Sequence, residues 1–246
     1  MIKISRLVVA AAAAMSLQAH ALLIDDFKVG QADAIDNTIA GGGTWTSSTA
    51  GNFANMIGGQ RDIYVERVGG TSANGRIASE VDTVNGLFNL SQDANVSGIA
   101  TLRWDGANTG NAIDVGGFGA AGINLAAAGN TFIFDFKSDV VPAFLYSITV
   151  EIFDIQGDKA TVTFPTEETE GLYVPGFVAF NEFTYGAGFS FEQAGAIQVL
   201  FNTADVAAID VDISIGRVDL VPEPGSLALA GLGLLGLVAA RRFRKS

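Results

Sequence analysis

Ala208-Ile209-Asp210-Val211-Asp212-Ile213-Ser214-Ile215-Gly216-Arg217-Val218 is the stretch that decides the fold. Ile209, Val211, Ile213 and Ile215 recur at every second position, with Asp210, Asp212 and Ser214 between them. Side chains of a strand point alternately to the two sides of a sheet, so this period predicts a strand with one face in a core and one in water. Residues 99–104 repeat the pattern: Ala100, Leu102 and Trp104 share one face, Thr101 and Arg103 the other. Ile155-Gln156-Gly157-Asp158 reads as a hairpin turn between runs at 145–154 and 159–164. Similar β-rich runs lie at 22–27, 61–68, 76–81, 87–90, 131–137, 177–183 and 196–201, each bounded by Gly, Asn or Asp. No amphipathic helix is predicted before Gly225, and no repeat of fixed period appears. With 30 Gly and only 5 Pro, the composition also favours short strands joined by turns. The expectation is an all-β domain over residues 22–220, an antiparallel two-sheet β-sandwich of jelly-roll type.

Outside that domain the two ends read differently. Lys3 and Arg6 precede an apolar run from Leu7 to Leu17, followed by Gln18-Ala19-His20-Ala21. A charged start, a short apolar run and a small-x-small site (Ala19, Ala21) predict a signal peptide over 1–21, cut by signal peptidase before Leu22. The run is about half of the roughly 20 residues that a spanning helix needs. At the other end, Pro222-Glu223-Pro224 precede an uncharged run, 225–240, and then Arg241-Arg242-Phe243-Arg244-Lys245. The prolines keep the chain extended, and the run predicts a single hydrophobic helix of about 24 Å. That is shorter than the hydrocarbon core, and the basic tail should stay on the cytoplasmic side.

Charge and missing residue types exclude several functions. Residues 22–224 hold 26 acids against 8 bases, a net charge of −18, which opposes nucleic-acid binding. There is no Cys, and the only His, His20, lies in the signal peptide. Thiol nucleophiles, Fe–S clusters, zinc sites and histidine triads are thereby ruled out of the mature domain. A hard, oxygen-ligated ion such as Ca²⁺ is the one metal the chemistry allows. First and last strands of a jelly roll often pair, so Asp25 or Asp26 with Asp210 or Asp212 form one structural calcium candidate, with solubilising surface acids as the alternative. Asp105-Gly106-Ala107-Asn108-Thr109-Gly110-Asn111-Ala112-Ile113-Asp114 could wrap an ion, but Ala107 breaks the ligand spacing and a solvated turn reads better. Trp104 lies on an apolar face and reads as core. Trp45, in a polar Gly/Thr/Ser segment, could stack on a sugar ring or simply pack. The G-x-G-x-x-G matches at Gly117 and Gly231 lack a βαβ context and carry no nucleotide prediction. Paired carboxylates could cleave glycosides, yet 26 acids offer no shortlist, and no catalytic residue is expected.

Pro222-Glu223-Pro224, the Gly- and Leu-rich run and the Arg-rich end together resemble the PEP-CTERM sorting domain of Gram-negative bacteria, over 221–246. The resemblance implies recognition by an exosortase, transient residence in the inner membrane, and delivery to the cell surface or extracellular matrix. Carriers of this signal often come from organisms that make extracellular polysaccharide. The strand content, Asp25-Asp26-Phe27 and the Asp-rich last strand make the middle domain similar to carbohydrate-binding-module jelly rolls. The expected function is therefore a non-catalytic structural or adhesive envelope protein in exopolysaccharide or biofilm. The alternatives are a binding module for the cell's own polysaccharide and a carboxylate glycosidase.

Overall fold

A computed structural model of the protein describes residues 21–39, 41–48, 53–107, 110, 112–139, 146–166, 169–204 and 210–222. The expected signal peptide, except Ala21, and the expected sorting segment from 223 onward lie outside the described residues. Among those described, fourteen strands follow one another: β1 (Leu22–Asp25), β2 (Ala34–Asp36), β3 (Thr44–Ser47), β4 (Asp62–Gly70), β5 (Ile77–Asp82), β6 (Leu87–Gln92), β7 (Val96–Trp104), β8 (Thr131–Asp139), β9 (Ser147–Asp154), β10 (Lys159–Pro165), β11 (Val174–Ala179), β12 (Thr184–Tyr185), β13 (Ala194–Asn202) and β14 (Val211–Val221). A single α-helical turn, α1 (Leu125–Ala128), precedes β8. The first sheet runs β11-β8-β14-β6-β5-β2, with β1 also against β14, and the second runs β12-β10-β9-β13-β7-β4-β3. Among the described strands the chain changes sheet after β2, β4, β6, β7, β8, β10, β11 and β13. The expected antiparallel sandwich is thus the observed architecture, with inward-facing residues of both sheets forming one core.

β14 shows how its sequence sets the packing. Val211, Ile213 and Ile215 are buried, while Asp212 faces out. The register then shifts between Ile215 and Val218. This bulge at Gly216–Arg217 returns Val218 and Leu220 to the core, and the strand continues to Val221, three residues past its expected end. Ala208 and Ile209 lie outside the described residues. β8 pairs with β14 along almost its whole length, whereas the other side of β14 is shared by β6 and then β1.

Two expectations need correction. The strand foreseen over 177–183 is β11 at Val174–Ala179, followed by a 3-10 turn at Phe180–Glu182. Phe180 and Phe183 leave the sheet for a ring cluster in which Phe180 stacks on Phe191 at 4.0 Å. β2, β3 and β12 have three, four and two residues, too short for a period of two to show in sequence. The hairpin after β9 forms where expected, with Gly157 at φ +86°. Asp154 fastens it by accepting from the Gln156 and Asp158 amides.

Among the described residues one ion pair is fully buried. Arg61 Nη1 and Trp104 Nε1 both donate to Asp25 Oδ2 at 2.7 Å, and the Phe27 amide donates to Oδ1. Asp25 and Arg61 are fully buried. The remaining Arg61 nitrogens donate to Gln31 Oε1 and the Val29 carbonyl. Burial pushes the Asp25 carboxyl up from its ordinary value, against the pull of Arg61, Trp104 and the Phe27 amide. The pair joins the end of β1, the start of β4 and the end of β7 across both sheets.

Candidate ligand-binding face

The outer face of the second sheet carries an unusual row. Ser47, Asp62, Arg103, Gln198, Glu151, Thr161 and Thr184 are successive register partners, one from each of its seven strands. With strands about 4.8 Å apart, the row is about 29 Å long. Its members bond sideways: Ser47 to Asp62, Arg103 Nε to Gln198 Oε1 at 3.2 Å, and Gln198 Nε2 to Glu151 Oε2 at 2.6 Å. Lys159 donates to the other Glu151 oxygen. Arg103 Nη1 also reaches the Gly110 and Ala112 carbonyls, tying the loop after β7 to this face. Asp62, Arg103, Gln198 and Glu151 are accordingly buried, although they sit on the side away from the core. Burial pushes the Arg103 guanidinium down from its ordinary value, while Asp105 and Asp62 favour its charge. Thr149 and Thr163, bonded at 2.9 Å in the adjoining row, remain accessible.

Aromatic rings flank the row. At the β3–β4 end, Trp45 and Tyr64 stack with centroids 4.6 Å apart, and the Arg103 guanidinium lies 4.6 Å from the Trp45 ring centre. Two partners this close occupy much of the indole's stacking surface, so its exposed rim is what a ligand would meet. Beside Glu151, two residues along β9, the Lys159 ammonium lies 5.9 Å from the Phe153 ring. The face thus offers a polar row with aromatic rings at its β3–β4 end and beside its β9 member.

Tyr64 is held protonated. Burial and a hydrogen bond to Glu66 Oε2 push its phenol up to about 12, while the Gly43 amide that donates to it pulls the other way. The folded state keeps this proton where the unfolded chain, near its ordinary value of 10.0, begins to lose it. Stability from this group should therefore be complete below pH ~10 and disappear as pH rises through ~12. Absorbance at 295 nm, compared between the wild type and Tyr64→Phe, should show one phenol titrating near pH 12; a difference curve centred near 10 would refute it.

The structure does not bring together the four aspartates considered for calcium. β1 does pair with β14, but Leu22 faces Leu220 and Asp25 faces Val218. Asp212 lies six residues further along β14, about 20 Å away at strand rise. Asp25 is committed to Arg61 and Trp104, Asp26 to the Lys28 amide and Asn55, and Asp210 to the Ala94 amide. In the loop, Asp105 closes turns onto the Ala107 and Asp114 amides. Asn108 and Asn111 lie outside the described residues. Among the described residues no three His, Cys, Asp or Glu converge for a metal. Trp104 is core, as read. Of the processing residues, Ala21 is exposed, Leu22 opens β1 and Pro222 directly follows β14, while Ala19, Glu223 and Pro224 lie outside the described residues.

The polar row was missed from sequence. Its trace is the polar residue at alternate positions of apolar strands, as with Thr101 and Arg103, but alternation says nothing of which residues lie side by side.

The described residues thus define a two-sheet antiparallel β-sandwich with a polar row on the outer face of one sheet. Residues 220–245 match the PEP-CTERM protein-sorting motif, which marks an exported substrate of an exosortase, sorted to the cell surface after transient membrane residence. The comparison with curated proteins gives no match. Among solved structures, the chain is similar to the family 11 carbohydrate-binding module from Clostridium thermocellum, which was solved with a β-1,3-1,4-mixed-linked tetrasaccharide; identity is 11%, TM-score 0.35, and coverage 79% of this chain and 96% of that one. It is also similar to an agarase at 9% identity and TM-score 0.39, over 59% of this chain and 22% of that one. An exo-β-agarase matches at 12% identity and TM-score 0.37, over 61% of this chain and 22% of that one. This chain therefore spans about a fifth of the agarases, and likeness at this level carries neither their activity nor the module's ligand across.

Proposed function

We propose that the exported domain is a non-catalytic component of the cell surface or extracellular matrix that adheres to extracellular polysaccharide through the outer face of its second sheet. The observation that carries this reading is the seven-strand polar row with aromatic rings at its β3–β4 end and beside its β9 member. The buried central members hold the face rigid, the accessible hydroxyls of Ser47, Thr149, Thr161, Thr163 and Thr184 are the polar groups a sugar would meet, and aromatic rims match the apolar faces of sugar rings. Arg103 and the adjacent Lys159 balance Asp62 and Glu151, and the domain as a whole is acidic, so a neutral glycan is the ligand class it tolerates. The row does not favour hydrolysis: both Glu151 oxygens accept from neighbours, whereas a glycosidase needs one carboxyl kept as a free acid.

The test is retention on purified exopolysaccharide from the host. The wild-type domain should be held several-fold above a charge-matched control, and Thr149→Val with Thr163→Val should weaken retention without changing the melting temperature. Retention no better than the control would leave only an adhesive role independent of sugar.

A further inference from the structure

The two ends of the domain meet. Leu22, the residue freed by signal-peptide removal, pairs with Leu220, so the incoming and outgoing chains leave one pole of the sandwich side by side. At that pole Val221 is still paired with Thr131, and its carbonyl accepts from the Asn130 amide at 3.0 Å. Gly129 lies so close that a Cβ there would stand 2.3 Å from the Val221 carbonyl carbon and 2.9 Å from Pro222 N. The outgoing chain is therefore held by the fold up to Pro222. Only residues 222–224 separate the last rung at Val221 from the uncharged run of 225–240. The four residue steps from 221 to 225 span at most about 14 Å.

The stretch nearest the exit is uncharged: residues 115–134 contain no Asp, Glu, Lys or Arg, while the exposed Glu182 and Glu192 flank it on 3-10 turns packed beside Asn130 and α1. Asn124, Ala126 and Ala127 are exposed there, on or beside α1. With Glu182 and Glu192 at its margin, the pole suits a zwitterionic headgroup layer rather than an anionic one.

We propose that, while the sorting segment remains in the bilayer, the sandwich stands on the lipid headgroups by this pole, with α1 and the β1 and β14 ends against the surface. This rests on the reading of residues 225–240 as a membrane segment. It fixes the orientation of the molecule: β14, eleven residues and about 35 Å long, points away from the membrane towards the turn between β4 and β5. The polar row of the second sheet then runs across that axis, facing sideways.

The chain has no cysteine, so single labels can be placed freely. Ala126→Cys or Asn124→Cys marks the exit pole and Ala73→Cys, exposed beyond β4, the opposite one. The labelled full chain is reconstituted in phosphatidylcholine vesicles carrying a headgroup quencher, and flotation and quenching are measured together. Chain that floats and is quenched several-fold more at 126 and 124 than at 73 is the expected result. Flotation with equal quenching at both poles overturns the orientation alone. Failure to float overturns the membrane-segment reading and the orientation with it. Quenching at 126 that appears only after a sorting enzyme is added would assign the pole to that enzyme and overturn the lipid contact.

Discussion

Asp25→Ala is expected to destabilise the domain by roughly 3–5 kcal/mol, because it leaves the Arg61 guanidinium buried without its counter-charge. Trp104 Nε1 loses its acceptor in the same step, and the Phe27 amide, held at positive φ, loses the bond that fixes its turn. For a domain of this size the loss amounts to about 10 °C in melting temperature. Asp25→Asn keeps the shape but not the charge and should recover only part of it. The double variant Asp25→Leu, Arg61→Met removes both charges and should melt above Asp25→Ala, since a paired charge costs more to orphan than to delete. A double variant no more stable than the single one would show that the pair does not act as a unit.

Arg103→Ala should have the largest effect on function. One guanidinium covers the Trp45 ring, bonds Gln198, and holds the loop carbonyls of Gly110 and Ala112. Its loss opens the middle of the polar row and releases the loop above it, so retention on polysaccharide should fall more than tenfold. Destabilisation of about 2–3 kcal/mol should accompany it, because a buried planar donor with several acceptors is being removed. Retention is therefore compared well below the variant's melting temperature, with near-ultraviolet dichroism of the Trp45–Tyr64 pair as the check on local structure. Arg103→Lys keeps the charge but not the fork and should restore stability more than binding. Full retention by Arg103→Ala would remove the row from the binding face.

What the sequence disclosed divides by range. Local alternation was enough to find β7 and β14, to turn Trp104 inward, and to place the hairpin at Gly157, since each depends on neighbours along the chain. The sorting signal was equally legible, being contiguous. Pairing partners were not. Asp25 meets Arg61 across 36 residues and Trp104 across 79, and nothing near Asp25 foretells either. The pairing of first and last strands was anticipated, yet its register was not, and register alone separates Asp25 from Asp212. Trp45 was singled out for its polar setting, but the Tyr64 and Arg103 that occupy its ring come from two other strands.

The last strand of the domain to be synthesised is also an interior one. Until β14 arrives, β8 has no neighbour on one side, and β6 and β1 have nothing to bridge them. The first sheet cannot close on a partial chain, so nearly the entire polypeptide must be present before its tertiary structure can set. An early-emerging N-terminal half that cannot finish its own sheet stays threadable, and the order of strands thereby serves export as well as architecture.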